Sequence, residues 1–186
     1  MIVNLSVMKR IFFLFFCLVF TSMVIAQESK SEKQLRKEKR EAELRANYLE
    51  IGAAIDRRNF VIEMEYLLDA SGNNKKLNMV LNFISVEKEK CFWASESSDI
   101  NTDLFKTVSK VEGTIDGWKL ERNDKKQNYY LQFKMFTDFG IFYVTSSVMA
   151  DKTVSGNISG VRDSFTYSGR IIFNNSGEVP SKPDAM

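Results

Sequence analysis

Between Phe60 and Phe173 the apolar residues of this chain recur at every second position, in short runs separated by polar turns. A period of two is typical of β-strands, because their side chains alternate between two faces. The turns are rich in Asp, Asn, Gly and Lys, and none is long enough for the crossover helix that parallel strands need. The pattern therefore predicts a curved antiparallel β-meander of about eight strands.

Each predicted strand is a short alternating or apolar run. The runs are FVIEMEYLLD from Phe60, LNMVLNFISV from Leu77, CFWA from Cys91, KVEGTI from Lys110, WKLERN from Trp118, YYLQFKMF from Tyr129, IFYVTSSVMA from Ile141, VSGNISG from Val154 and SFTYSGRIIF from Ser164. Alternation predicts one shared face for Phe60, Ile62, Met64, Tyr66 and Leu68, and one for Leu77, Met79, Leu81 and Phe83. Asp116-Gly117 is a strong signal for a hairpin turn.

Several strands are apolar on their second face as well. The residues concerned are Val80, Ile84, Phe136, Phe142, Val144 and Val148. A sheet open to water on that face would not favour them. We therefore expect either that a helix covers part of the sheet or that the sheet curls into a partial or closed barrel.

The segment before Asn59 has the period of a helix. Leu44, Tyr48, Ile51 and Ile55 are spaced by four, three and four residues, which predicts one apolar stripe able to cover the sheet. Residues 29–43 are highly charged and have almost no apolar face, so this half is predicted to be solvated. The fold class is therefore α+β.

A coiled coil is the alternative for the charged half. Leu35, Ala42 and Leu49 lie seven residues apart, as in a heptad repeat. The companion heptad positions, Glu38 and Arg45, are charged, which does not favour a coiled coil.

The N-terminus has the pattern of an export signal. Lys9 and Arg10 precede an apolar run, and Val24 and Ala26 are small residues at the −3 and −1 positions of a cleavage site before Gln27. The apolar core is shorter than a comfortable membrane span of about 20 residues. The alternative is a retained membrane anchor.

Two details of this segment bear on its processing. Cys17 follows Phe15 and Phe16, whereas lipid attachment requires small residues there, so anchoring at Cys17 is not favoured. Met8 is a possible true start.

The predicted organisation is a signal peptide at 1–26, a charged helix at 27–59, an antiparallel β domain at 60–173 and a disordered tail at 174–186. We expect a periplasmic or secreted protein.

Charge and composition exclude several classes of function. The net charge of +2 falls to zero once Lys9 and Arg10 are removed. A neutral chain has no general attraction for nucleic acid. The sequence has no histidine, which excludes histidine-based triads, dyads and metal sites. Cys91 would be the single cysteine after cleavage, so no internal disulfide is expected.

Each candidate for chemistry has a plainer structural explanation. Glu63 and Glu65 form a carboxylate pair, but they are neighbours on one strand, whereas hydrolysis needs acids that flank a cleft. The acidic loop with Glu96, Asp99 and Asp103 lacks the spacing of a calcium loop. Cys91 has no histidine as a base. No catalytic, metal or cofactor residues are therefore predicted.

The remaining candidates are aromatic or basic. Trp93, Trp118, Tyr129 and Tyr130 could stack on sugars or bases, but aromatic residues in strands are first of all core residues. Lys125-Lys126 is predicted to be a turn. Arg170, on the second face of the last strand, is the one weak candidate for a ligand site, because a cation there could hold an anionic ligand or a buried acid.

The order of these pieces resembles domain-of-unknown-function family 4251, which comprises small exported bacterial proteins. The resemblance rests on a lysine-rich helix leading into RNFVIE at Arg58–Glu63, on Gly113, on YLQFK at Tyr130–Lys134 and on FTYSGRI at Phe165–Ile171. It covers nearly all of the predicted mature chain and departs from the family at Cys91–Lys106. It implies export and a β-rich fold but no reaction.

The sequence thus favours a non-catalytic binding or interaction protein that uses its curved sheet. The expected partner is a small apolar ligand or an envelope protein. A hydrolase that uses carboxylates alone and a structural envelope spacer are the alternatives. A pocket with two acids from different strands would favour the hydrolase.

Overall fold

The computed structural model describes residues 32–68, 74–95, 110–160 and 164–173. These residues contain one helix and nine antiparallel strands. Helix α1 covers residues 32–56. The strands are β1 Asn59–Leu68, β2 Asn74–Lys76, β3 Phe83–Glu87, β4 Lys90–Ala94, β5 Lys110–Asn123, β6 Asn128–Thr137, β7 Gly140–Met149, β8 Thr153–Ser159 and β9 Ser164–Phe173.

The sheet closes into a barrel because β1 has strand partners on both edges. One edge pairs with β9, from Phe60↔Phe173 to Leu68↔Thr166, and the other pairs with β3. The remaining strands follow in chain order from β3 to β9. The short strand β2 adds to the end of β1. The predicted α+β fold with a barrel-like antiparallel sheet is confirmed as an eight-stranded barrel with one extra strand.

The chain divides into two compact units, Met1–Glu43 and Leu44–Met186. In the first unit, residues 32–43 are helical and exposed. Ion pairs between Glu32 and Arg36 and between Lys37 and Glu41 join successive turns at 3.9 and 3.8 Å. Opposite charges four residues apart stabilise an exposed helix.

In the second unit, the apolar stripe of α1 packs into the barrel core. Tyr48, Ile51 and Ile55 are buried in the same cluster as the inward residues of the strands. Polar contacts hold this part of the helix from the side: Lys152 pairs with Glu50 at 3.1 Å, and Arg122 pairs with Asp56. The helix therefore contributes core residues to the barrel unit.

A β-bulge in β1 overturns part of the predicted face pattern. The pairing with β9 skips a residue between Met64 and Tyr66. An extra residue shifts the alternation by one position. Leu67 is therefore buried, and Tyr66 and Leu68 are exposed, so the prediction that both share a face with Phe60 is wrong.

The predicted strand from Leu77 is also wrong in its first half. Residues 79–82 form a turn, in which the Asn82 N–H donates to the Asn78 carbonyl at 3.0 Å. The Asn78 side chain accepts a second bond from the Val80 N–H at 3.2 Å. Local bonds from an asparagine compete with strand pairing, so the strand begins only at Phe83.

The prediction of a hairpin turn at Asp116-Gly117 is also wrong. Strand β5 runs unbroken through this pair, and its register with β6 shifts between Asp116 and Lys119. Gly117 has a φ of 62°. A glycine-type bulge and a type I′ hairpin turn both use a left-handed residue, so the dipeptide alone does not distinguish them.

The residues expected on a second apolar face fall into two groups, one buried and one exposed. Ile84, Phe142, Val144 and Val148 point into the barrel and are buried. Phe136 points outward on β6, and Val80 is 68% exposed in the turn before β3. The apolar excess is therefore explained by closure of the sheet, with a few outward residues left over.

Candidate binding surface

The barrel interior is filled by side chains. Trp93 packs against Phe142 and Phe165 with ring centroids 5.8 and 6.0 Å apart, and Trp118 stacks on Phe133 at 5.4 Å. An eight-stranded barrel has an interior just wide enough for its own side chains. The inner face of the curved sheet is thus the core of the protein.

Tyr167 and Ser146 form a small hydrogen-bonded group in this interior. The Tyr167 hydroxyl donates to the Thr145 carbonyl at 3.1 Å and accepts from Ser146. Burial raises the pKa of the Tyr167 hydroxyl and of the Cys91 thiol. A thiol whose pKa is raised forms little thiolate, so Cys91 is a poor nucleophile.

Part of the outer barrel wall is also covered. Val61, Ser85 and Phe92 form one outward row across β1, β3 and β4, and all three are buried. The solvent-open wall lies on β5 to β9. Its β5 margin is charged, with Asp116, Lys119 and Glu121 opposite the outward residues of β6, so the least charged part of the wall lies on β6 to β9.

On that wall, outward side chains from four strands align in three rows. The first row is Tyr130, Ser147, Ser155 and Ser168; the second is Gln132, Thr145, Asn157 and Thr166; the third is Lys134, Tyr143, Ser159 and Ser164. We call these twelve residues the hydroxyl face. Neighbouring strands lie about 4.8 Å apart, so adjacent side chains in a row can contact one ligand together.

The hydroxyl face carries a single charge, that of Lys134. The Lys134 ammonium lies 5.7 Å from the centroid of the Tyr143 ring, within the range of an attractive contact between a cation and an aromatic face. Asn157 and Ser164 hydrogen-bond across β8 and β9 at 3.1 Å. The remaining members are hydroxyl or amide side chains that are exposed or half-buried.

The chain's six tyrosines divide sharply between the core and this wall. Tyr48, Tyr129 and Tyr167 are buried, while Tyr130 and Tyr143 are 43% and 44% exposed. The sixth, Tyr66, is 37% exposed. The bulge in β1 aims it outward, directly opposite Ser168 at the end of the first row.

Arg170, the site residue singled out by the sequence, lies on the outer wall beside the hydroxyl face. Its Nε–H donates to the Glu63 carboxylate at 2.8 Å, and the two residues are paired across β9 and β1. The arginine side chain is 57% exposed and that of Glu63 18% exposed. The Arg170 guanidinium thus forms an ion pair with the half-buried carboxylate of Glu63.

An open groove of about 410 Å³ lies next to the hydroxyl face. It is lined by Lys90, Glu112, Gly113, Thr114, Phe136, Thr137 and Asp138. Glu112 belongs to β5 and Asp138 to the turn after β6, so two acids from different elements meet in one depression. Both acids are exposed.

The other sequence candidates are dispersed. Trp93 and Tyr129 are core residues, and Arg58 lies over the Trp118 ring at 4.8 Å. Lys125-Lys126 lies in the turn at 124–127. Glu63 and Glu65 are half-buried on β1, separated by the buried Met64.

Some predictions fall outside the described residues. These are the signal peptide with Cys17 and the Ala26–Gln27 cleavage site, the acidic loop with Glu96, Asp99 and Asp103, and the tail at 174–186. Among residues 32–68, 74–95, 110–160 and 164–173, no group of three or more acidic or cysteine side chains is arranged to hold a metal ion.

Sequence reasoning missed the hydroxyl face itself. Its members are scattered over four segments, and only the registers between strands bring them into rows. A signal was present in the alternate positions of IFYVTSSVMA, VSGNISG and SFTYSGRIIF, most of which hold hydroxyl or amide residues, whereas other strands of the chain hold more charged ones. In the part of the chain that the structure describes, no helix is long and apolar enough to cross a membrane.

Comparison with known proteins supports the fold. No family model matches the sequence, and no curated protein matches it. The structure is similar to the crystal structure of a DUF4251 family protein from Bacteroides eggerthii DSM 20697, with a TM-score of 0.56. The two share 15% sequence identity over 69% of this chain and 88% of that chain. The chain therefore has the fold of a DUF4251 family protein, the family that its sequence motifs resemble.

Proposed function

We propose that the protein is an exported, non-catalytic binding module and that it binds its partner through the hydroxyl face. One observation carries the proposal. Twelve outward side chains, aligned over four strands, include one charged residue, although 27% of the chain is charged. At that average about three of the twelve would carry a charge.

The composition of the hydroxyl face supports binding. Interface centres are depleted of charged residues and enriched in tyrosine. Tyrosine with serine and asparagine is also the combination that antibody binding loops use, because it joins rigid aromatic contact area to adaptable hydrogen bonding. An ordinary solvated strand face has no need to exclude lysine and glutamate.

The barrel supports the same function as a scaffold. Side chains on paired strands are held more rigidly than side chains on loops. Beneath the hydroxyl face, the inward residues of the same strands are core residues such as Phe133, Val144 and Ile158.

The basic and apolar N-terminal segment supports the export part of the proposal.

Footprinting by hydroxyl radicals would test the function. The full chain, expressed with its own N-terminal segment, is oxidised with and without an envelope extract of its host. We expect protection of Tyr130 and Tyr143, read by mass spectrometry, and unchanged oxidation of Leu49, which is exposed on α1. Equal oxidation of all three in both samples would contradict binding through this surface and would favour the envelope-spacer alternative.

The groove at β5 and β6 supports a second candidate function, a carboxylate-based hydrolase. Glu112 and Asp138 come from different elements, as acid–base catalysis on a glycosidic bond requires. Both carboxylates are exposed. Hydrolysis of a bound substrate that stops in Glu112→Gln and in Asp138→Asn, but not in Asp116→Asn, would establish this candidate.

A further inference from the structure

We infer that the ligand of the hydroxyl face is an uncharged polysaccharide. This inference rests on the proposed binding function and names the class of partner. A sugar ring has two kinds of surface, an apolar face of C–H groups and a rim of hydroxyls. A site for it needs exposed aromatic rings beside neutral hydrogen-bonding side chains.

The rows of the hydroxyl face provide both kinds of group side by side. The exposed ring of Tyr143 is paired directly with Ser159 on β8. The exposed ring of Tyr130 is paired with Ser147, whose other neighbour is Ser155. Tyrosine and serine hydroxyls both donate and accept hydrogen bonds, as sugar hydroxyls do, so either polarity of contact can form.

The low charge of the hydroxyl face favours a neutral sugar over the other polymers that stack on aromatic rings. Nucleic acids and acidic glycans need a basic groove to track their charges. The hydroxyl face offers Lys134 alone, at its margin on β6, and Arg170 beside it is engaged with Glu63. A neutral polymer carries no charge to be matched, so the lack of cations does not weaken its binding.

The anatomy of the surface favours a polysaccharide over a protein partner. Protein interfaces have an aromatic or apolar centre surrounded by a polar rim. Here the arrangement is inverted, because Ser155 and Asn157 lie on β8, the middle of five strands, whereas the exposed rings of Tyr130 and Tyr66 lie on the outermost two, β6 and β1. Binding of oligosaccharides on the outer face of a small β-barrel is known in another fold, the OB-fold.

Affinity electrophoresis would test the inference. The full-length secreted protein is run in native gels that contain dextran, a β-glucan, mannan, galactan or xylan as neutral probes, and alginate or heparin as acidic probes. We expect retardation by at least one neutral polysaccharide and none by the acidic ones. No retardation by any neutral probe, or equal retardation by acidic probes, would overturn the inference.

Substitutions locate the binding. Tyr130→Ala with Tyr143→Ala should weaken binding to the retarding polysaccharide at least about tenfold. Ser155→Glu should weaken it comparably without touching a ring, because it places an unpaired charge in the centre of the face. The control Leu49→Ala removes an exposed apolar residue elsewhere and should leave binding unchanged. Thermal melting confirms that each variant is folded, and full binding by either face variant would contradict the assignment.

The two proposals can fail separately. Radical protection of Tyr130 and Tyr143 by an envelope extract, persisting when the extract is treated with glycosidases and lost when it is treated with protease, would show that the surface binds a protein. That result would keep the binding function and refute the polysaccharide. Loss of protection after glycosidase treatment alone would support both.

Discussion

Tyr167 and Arg170 lie three residues apart on β9 and point to opposite sides of the barrel wall. Tyr167 is 1% exposed, and its removal in Tyr167→Ala should cost about 3–5 kcal/mol through lost burial and a cavity. Arg170→Ala breaks an ion pair in which the arginine is 57% exposed and Glu63 is 18% exposed, and it should cost about 1 kcal/mol. Urea melts of both variants check this contrast. A large loss in Arg170→Ala would show that the Glu63 pair is essential to barrel closure.

The buried Tyr167 hydroxyl should also make the protein sensitive to alkali. Its pKa is raised above the ordinary value of 10.0 by burial, so the folded state holds this proton more tightly than the unfolded state. The resulting stability is fully present below about pH 10 and is lost as the pH rises toward the raised pKa.

Tyr167→Phe should therefore flatten the fall in unfolding free energy between about pH 9 and pH 11, even though it lowers the starting value by removing two hydrogen bonds. The exposed Tyr130→Phe is the matched control and should keep the wild-type slope. Parallel slopes for all three proteins in urea melts would refute the role of Tyr167.

Strand β9 meets β1 at a point where no side chain fits. Met64 pairs with Gly169 immediately before the bulge, and a Cβ at Gly169 would overlap the Glu63 carbonyl. Because the overlap is with backbone, Gly169→Ala should force the two strands apart and lower the melting temperature by several degrees or more. Ser168→Ala, one residue away on the outward side, is the control. Equal melting temperatures would mean that the strand pairing is looser than the structure indicates.

The exposed first half of helix α1 should be removable without loss of folding, whereas the half that carries the core residues should not. Residues 32–43 are exposed, whereas Tyr48, Ile51 and Ile55 are core residues. Burying one such side chain is worth about 1.5–3 kcal/mol, and a whole small domain has about 5–15 kcal/mol. A chain beginning at Glu43 should melt like the full-length protein, and one beginning at Asn59 should fail to fold. Cooperative melting of the shorter chain would contradict this.

The elements differ in how far sequence could predict them. Strands β6 to β9 alternate cleanly and are joined by turns with unambiguous residues, so their positions follow from the sequence. The bulges at Glu65 and Gly117 add one residue each, and nothing in the local pattern distinguishes an added residue from a turn or a regular strand. Each bulge reverses the face of every later residue in its strand, which explains why Tyr66 was misplaced.

At the scale of the whole molecule, the sequence predicted a strongly curved sheet without deciding whether it closes, and it did not predict the binding surface. Apolar residues on the second face of the predicted strands, such as Val144, are not favoured on a solvated sheet face, so their number indicates a covering helix or a curled sheet. A surface that is assembled across four strands depends on registers, which a one-residue slip would change entirely. The single residue that sequence favoured, Arg170, is explained by an acid on the neighbouring strand.

The destination of the molecule is the last property that the sequence predicts. Val24 and Ala26 occupy the −3 and −1 positions of a cleavage site, after an apolar run that is short for a membrane span. We expect the exported protein to begin at Gln27, which leaves the barrel unit and the charged half of α1 intact. N-terminal sequencing of protein recovered outside the cytoplasm checks this, with Ala26→Leu as a variant that should remain uncut. A lipid-modified N-terminus at Cys17, or an uncut wild-type chain in the membrane fraction, would contradict the prediction and would tether the hydroxyl face to the membrane instead of releasing it.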